Sequence, residues 1–307
     1  MHESPQSAAI FRLEQWVDRA ARRMDQAGLY FGHGTDNPYD EARWMVAHVL
    51  DLAPDFEDTM LAGCPSPGEL AELDRLLERR METRKPLAYL LGEAWFAGLR
   101  LRVDERVLVP RSPLAELIVD GFSPWLDLDH PARALDLGTG SGCLAAALAW
   151  HWPKVSVDAV DISNSALVVA AENVRRLGLG ERVGVFASDL FEALPGKRYD
   201  LILSNPPYVS PAGMEALPAE YRHEPARALA AGPDGLDILR RLMVDVPDHL
   251  APGGFLVVEV GEARTAVETL LPEVPFVWLE FQHGGEGVFL LDHAGCREAA
   301  AALGAMT

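Results

Sequence analysis

From Ala132 onward the chain alternates short apolar runs with helical periods, and few folds accommodate that alternation. Runs of strand length lie at Ala132–Leu137, Ser156–Ile162, Val183–Ala187, Tyr199–Ser204, Gly254–Val260, Phe276–Gln282 and Gly287–Asp292. Helical patterns at Cys143–His151, Ser165–Leu177, Leu236–Leu250 and Ala263–Leu270 fall between them. Strands interleaved with helices predict an α/β fold: a mostly parallel, doubly wound sheet with right-handed crossovers. The last two strands are joined only by His283-Gly284-Gly285-Glu286, too short for a crossover helix. They are expected to pair antiparallel, so that one strand of the seven is reversed.

Ligands of such sheets bind beyond the carboxyl ends of the strands, and the strand ends here carry unusual text. The first runs into Asp136-Leu137-Gly138-Thr139-Gly140-Ser141-Gly142, where glycines permit positive φ and close backbone approach. Its G-x-G-x-G spacing differs from the G-x-G-x-x-G of dinucleotide sites. The second strand ends at Asp161, where a carboxylate can accept both hydroxyls of a ribose; the third ends in Ser188-Asp189-Leu190, placed to flank an adenine. The set fits S-adenosylmethionine better than a dinucleotide. Asp136, Gly138, Gly140, Gly142, Asp161 and Asp189 are the candidate cofactor residues, although Asp136 also reads as a turn cap and Asp189 as a helix N-cap. Cys143 reads as a small packing residue.

The fourth strand stops at Ser204-Asn205-Pro206-Pro207-Tyr208. Two prolines cannot continue a central strand, because they donate no ladder hydrogen bond and fix φ. The backbone therefore leaves the sheet stiff and extended. The Asn205 side-chain oxygen and the Pro206 carbonyl become two acceptors beside the Tyr208 ring. That combination suits a planar amide or amine, whose NH2 needs two acceptors and a surface to stack on. Asn205, Pro206 and Tyr208 are the candidate catalytic residues, with Pro207 joining them in substrate binding and Asn205 also bordering the cofactor.

Residues 1–93 read as a helical domain for partner recognition, with an apolar stripe Ile10, Leu13, Trp16, Val17, Ala20. A second helix follows Asn37-Pro38, and a third spans Leu70 to about Thr83. Residues 94–123 read as a β-hairpin turning at Val103-Asp104-Glu105, then a connecting helix; residues 124–307 hold the α/β domain. The alanine-rich tail after Gly295 is expected to fray. The stretch from Val209 to Pro233 is long for a loop in a compact domain and is expected to form a lid, with Arg111, Glu116 and His223 as supporting groups.

Composition excludes several classes. A hydrophobic content of 49% with 24% charged residues is that of a globular protein, and no apolar run has the length of a membrane span. Met1–Ala9 lacks the pattern of a signal peptide, so the expected location is the cytoplasm. The 3 cysteines are far apart and the 9 histidines scattered, giving neither a disulfide framework nor a metal site. A net charge of −19 opposes binding to naked nucleic acid and favours a basic partner.

With Asp136–Gly142, Asp161 and Asn205–Tyr208 in this order, the chain resembles the class I (Rossmann-like) S-adenosylmethionine-dependent methyltransferases. Within them it resembles the protein-glutamine methyltransferases, over all but its first few residues and its tail. Tyr30–Asn37 and Val109-Pro110-Arg111-Ser112-Pro113 look like the members that act on a large-subunit ribosomal protein, and Tyr221–Pro225 with Gly232–Leu236 resembles a segment shared across the group. The resemblance implies methyl transfer from S-adenosylmethionine to a glutamine amide nitrogen of the third large-subunit ribosomal protein, without a metal. A release factor is the alternative target. Adenine amino-methyltransferases share Asn-Pro-Pro-Tyr, but this acidic chain has no basic stripe for nucleic acid.

Overall fold

The computed structural model describes residues 11–130, 132–282 and 284–306. They form two compact units. One contains residues 11–92 together with Pro218–His223; the other contains the described residues of Glu93–Leu217 and those from Glu224 onward.

The first unit is helical: α1 (Leu13–Gln26), α2 (Pro38–Val49), α3 (Pro67–Thr83) and α4 (Leu87–Leu91). Leu13, Trp16, Val17, Ala20 and Met24 form the buried face of α1; Ile10, expected in that stripe, lies outside the described residues. Asn37 caps α2 by accepting from Asp40 N, with Pro38 in the first turn. Helix α3 starts earlier than expected because Ser66 and Glu69 form a capping box around Pro67. Beside its apolar core this unit buries a polar cluster. Arg80, 1% exposed, reaches Glu41 at 2.7 Å and the Tyr30 carbonyl at 2.9 Å. The Pro218–His223 segment contributes Glu220, which accepts from Tyr30 N at 3.0 Å and pairs with Arg84 at 2.8 Å. Burying a carboxylate at that point is tolerable only because donors and cations surround it.

The second unit opens with a hairpin, β1 (Glu93–Phe96) and β2 (Leu99–Arg102). Its turn is Ala97-Gly98, both at positive φ (49° and 78°), not Val103-Asp104-Glu105. A two-residue turn of this hand suits strand twist, but alanine rarely adopts it, so the signal was hidden. Asp104 instead forks onto Arg106 beyond the hairpin. After α5 (Leu114–Asp120) come β3 (Ala132–Leu137), α6 (Cys143–His151), β4 (Val155–Asp161), α7 (Asn164–Arg176), β5 (Val183–Ala187) and β6 (Tyr199–Ser204). Then follow α8 (Pro211–Ala216), α9 (Asp237–His249), β7 (Leu250–Glu259), α10 (Arg264–Leu270), β8 (Val277–Leu279), β9 (Val288–Asp292) and α11 (His293–Gly304).

The sheet order is β5-β4-β3-β6-β7-β9-β8, parallel except that β9 runs against both its neighbours. One reversed strand is what the short final turn demanded. Side chains alternate between two apolar cores, one on each face. Ala134, Leu201, Leu203 and Val257 enter one; Leu135, Leu137, Ile202, Leu256 and Val258 enter the other. A sheet covered on both faces explains why its strands read as continuous apolar runs. The alanine-rich tail does not fray: it is α11, capped by Asp292, with Cys296, Ala299 and Leu303 buried. Small side chains let it pack closely onto the sheet. The stretch after Val209 is also ordered, carrying α8, two single-turn helices and a bridge from Val209 to Ala230.

Chain direction on either side of β3 decides where a ligand can sit. From β3 the chain winds through β4 to β5 at one edge, and β6 and β7 extend the sheet the other way. The crevice beyond the ends of β3 and β6 is the topological switch point.

Candidate active site

A cavity of about 340 Å³ opens at that switch point, lined by Gly138–Ser141, Asp161–Ser163, Ser188–Leu190, Asn205–Pro207 and Arg106–Ser112. Four strand ends singled out in the sequence thus meet around one space.

The glycine loop leaves β3 with Gly138, Gly140 and Gly142 at φ 74°, 54° and 79°. A Cβ on Gly138 would meet nothing within 4 Å, so the loop leaves open room beside its backbone. Gly142 has a different place: a Cβ there would lie 3.2 Å from Ala170, and the residue packs α6 against α7 rather than lining the cavity. Asp136 lies under the loop, 1% exposed, accepting from Thr139 Oγ1 at 2.6 Å and from Ala145 N at 3.0 Å through Oδ2. Its Oδ1 is buried with no partner. Burial pushes this carboxyl up to about 7, against the hydrogen bonds from Thr139 and Ala145. Asp161 accepts from Gly140 N at 2.9 Å and Ser163 N at 2.8 Å, which fixes a carboxylate on the cavity wall. Asp189 lines the cavity too, but an ion pair with Arg241 at 2.9 Å occupies it. Cys143 borders the space with its thiol pushed up to about 12 by burial, which suits packing rather than nucleophilic attack.

The opposite wall begins where β6 ends. Ser204 Oγ donates to the Leu137 carbonyl at 2.8 Å and ties the two strand ends together. Asn205, Pro206 and Pro207 then face the cavity in irregular backbone. The Tyr208 ring lies against Gly261, where a Cβ would come within 2.8 Å of the ring, so only glycine admits this approach. Behind these residues stands a carboxylate that sequence reasoning missed. Glu259, the last residue of β7, is 7% exposed. Ser112 Oγ donates to its Oε2, and the Tyr208 and Asn205 side chains also hydrogen-bond to it. Burial pushes Glu259 up to about 7, opposed by the Ser112 bond and by the nearby Arg111 guanidinium. The one signal was an acidic residue inside Phe255–Val260, otherwise apolar.

The three supporting groups do not converge. Arg111 forks onto Glu224 at 2.6 and 2.7 Å, and Glu224 also accepts from Val109 N at 3.0 Å. Glu116 accepts from Gln282 N, and His223 lies in the helical unit, 3.0 Å from the Thr83 carbonyl. Among the described residues no group of His, Cys, Asp and Glu is arranged to hold a metal ion, and no helix is long and apolar enough to cross a membrane.

One wall therefore offers open backbone and a fixed carboxylate, with the unpartnered Asp136 oxygen buried beneath the loop. The other presents Asn205, Pro206 and Pro207, whereas the Tyr208 ring packs against Gly261 and does not line the cavity. The methyltransferase small domain family matches residues 121–232, and the PrmC N-terminal domain matches residues 15–92. A relative from Bordetella pertussis, described as a ribosomal protein uL3 glutamine methyltransferase, is 47% identical over 280 residues, 91% of this chain and 94% of its own length. A relative from Xanthomonas campestris pv. campestris with the same description is 49% identical over 280 residues, covering 90% and 88%. Among solved structures, the hMettl16 catalytic domain in complex with the MAT2A 3'UTR hairpin 1 aligns over 82% of this chain and 91% of its own, with a TM-score of 0.52. At 15% identity that likeness shows a shared fold alone.

Proposed function

This chain belongs to the ribosomal protein uL3 glutamine methyltransferases, and on that premise we propose that it transfers a methyl group from S-adenosylmethionine to a glutamine side-chain nitrogen of ribosomal protein uL3, at the Asn205–Tyr208 wall of the cavity. The observation that carries the site assignment is the meeting of two walls of opposite chemistry around one space.

The residues of the first wall fit the cofactor. Asp161, held by Gly140 and Ser163, would accept from the ribose hydroxyls, and Gly138 and Gly140 leave room beside the backbone. The unpartnered Asp136 oxygen suits an ammonium group. Leu190 and Ile162 give an apolar edge for a base, while Asp189 serves there through its pair with Arg241. When bound, S-adenosylmethionine supplies an activated methyl on a sulfonium, so the target nitrogen needs no strong base beforehand.

The second wall orients a poor nucleophile. An amide nitrogen has its lone pair delocalised into the carbonyl, so placement matters more than basicity. The Asn205 side-chain oxygen and the Pro206 carbonyl accept the two amide hydrogens and hold the nitrogen toward the first wall. Tyr208 flanks the amide plane. Such orientation contributes on the order of 7–11 kcal/mol in favourable systems, and preorganised acceptors stabilise positive charge growing on nitrogen. The helical unit carries target choice, since the catalytic groups named above all lie in the other unit. A net charge of −19 favours encounter with a basic ribosomal protein, before or during assembly in the cytoplasm.

The test is direct. Labelled S-adenosylmethionine and unmethylated uL3 are incubated with the enzyme, and the labelled residue is located by mass spectrometry. Label on a glutamine nitrogen of uL3 is expected; label on a release factor or on nucleic acid in preference to uL3 would reject the proposed target.

A further inference from the structure

Glu259 is a buried carboxylate beside Asn205 and Tyr208, the residues proposed above to contact the target. It ends β7, the strand that pairs with β6, so it stands beside the point where β6 runs into Asn205. Three side chains hydrogen-bond to it: Ser112, which precedes α5, and Tyr208 and Asn205, which follow β6. The charged group acting on it is Arg111, itself forked onto Glu224; the other titratable group facing it is the Tyr208 phenol.

A carboxylate only accepts hydrogen bonds, so an Asn205 amide bonded to it presents its NH2. The carbonyl end of the same amide is then the end left for the cavity. Without that constraint the two ends of an asparagine amide are nearly equal in shape, and half of its orientations would offer a donor where the target needs an acceptor. We propose that Glu259 is a positioning residue for methyl transfer, holding Asn205 by its NH2 so that Oδ1 faces the target amide, and holding the Tyr208 hydroxyl so that the ring stays beside it. The role rests on the function proposed above for Asn205. A bonded carboxylate also polarises the asparagine amide and makes Oδ1 a better acceptor, as in other hydrogen-bonded chains.

Charge state matters to this role. Ionised Glu259 accepts on both oxygens. Protonated Glu259 carries a hydrogen that it can donate to Asn205 Oδ1, which turns the amide over. Burial places the change near 7, so turnover rises with pH through that region. The Ser112 bond favours the ionised form, and losing it moves the rise to higher pH.

The experiment uses the full chain with uL3 and S-adenosylmethionine. Glu259→Gln, Ser112→Ala, Asn205→Ala and the double variant Asn205→Ala/Glu259→Gln are compared by single-turnover rate from pH 6 to 9, by KM for uL3, and by calorimetric cofactor affinity. Glu259→Gln is expected to slow transfer at least about tenfold at pH 8, below the loss typical of a direct transition-state contact. Its KM and cofactor affinity stay near wild type, and its rate no longer rises with pH. In the Asn205→Ala background the same change costs less than about twofold, because a group acting through Asn205 has nothing left to act on. A wild-type rate in Glu259→Gln, or an equal loss in both backgrounds, overturns the proposal. Should Glu259→Gln fail to fold, Ser112→Ala decides: a shifted pH profile supports the role and an unshifted one overturns it. Failure of the underlying function looks different, since the wild-type enzyme would then leave uL3 unlabelled.

Discussion

The two walls of the cavity are held in place by different kinds of interaction. On the glycine-loop wall most bonds are short-range: Thr139 and Ala145 to Asp136, 3 and 9 residues apart, Ser163 to Asp161, 2 apart, and Gly140 to Asp161, 21 apart, with the Asp189–Arg241 pair the longer exception. On the Asn205 wall they span the chain: Ser112 to Glu259 over 147 residues, and Val109 and Arg111 to Glu224 over 115 and 113. Local bonds form along with the β3–α6–β4 unit. The long-range bonds exist only once both halves of the second unit have come together. The lesson is that one cavity can have one wall held mostly by short-range bonds and another held by long-range ones, and that damage to each should show in a different measurement.

The largest effect is expected where a long-range bond is removed. Glu224→Ala leaves the partly buried Arg111 without its fork and the Val109 N–H without an acceptor. Removing one member of a buried pair costs about 3–5 kcal/mol, read as a lower midpoint in chemical denaturation. Cofactor affinity of the folded fraction should stay within twofold. A matching loss of affinity would join the two walls into one unit.

Asp136 tests the other wall through pH. Its carboxyl is near 3.8 when unfolded and about 7 when folded, so between those values the folded chain holds a proton that the unfolded chain has released. Stability of the ligand-free protein therefore falls as pH rises from about 4 to about 7, on the order of 4 kcal/mol from this group. Asp136→Asn should reduce that slope, being relatively more stable at pH 8 than at pH 5. An unchanged slope would mean that the carboxyl is not held neutral.

Asp161→Ala is a smaller change. It should weaken S-adenosylmethionine binding by roughly 1.5–3 kcal/mol, the range for a hydrogen bond to a charged group, while sparing the rate at saturating cofactor. A lower saturated rate with intact affinity would place Asp161 with the acceptor instead. Smallest of all is the thiol response. Alkylation of the native protein near pH 8 should label the exposed Cys64 and leave Cys143 and Cys296, whose thiols burial pushes up to about 12. Early labelling of Cys143 would show that the glycine-loop wall opens readily.

The same contrast explains what the sequence disclosed. The glycine loop, Asp161 and Asn205–Tyr208 were legible because each sits at the end of a strand whose apolar run and following punctuation are contiguous. Glu259 was obscure because a lone acidic residue in a strand names no partner, and Ser112 lies 147 positions away. The hairpin turn was misplaced because Ala97 adopts a conformation that alanine seldom does. The order of α11 depends on packing onto the sheet, which an alanine-rich run does not advertise. Nor could the sequence show that Glu220, in the middle of a supposed lid, would be buried among Arg80, Arg84 and Tyr30 of the helical unit.

The most direct measurement is the single-turnover rate of Asn205 variants at saturating S-adenosylmethionine, paired with calorimetric cofactor affinity. Asn205→Ala should keep its cofactor affinity while transfer falls by a hundredfold or more, about 3 kcal/mol, as for loss of one preorganised contact. Asn205→Asp should do no better, because it sets a second carboxylate against Glu259 and loses the NH2 that bonds there. A near-wild-type rate in Asn205→Ala would contradict the account and leave the end of β6 a turn without chemistry.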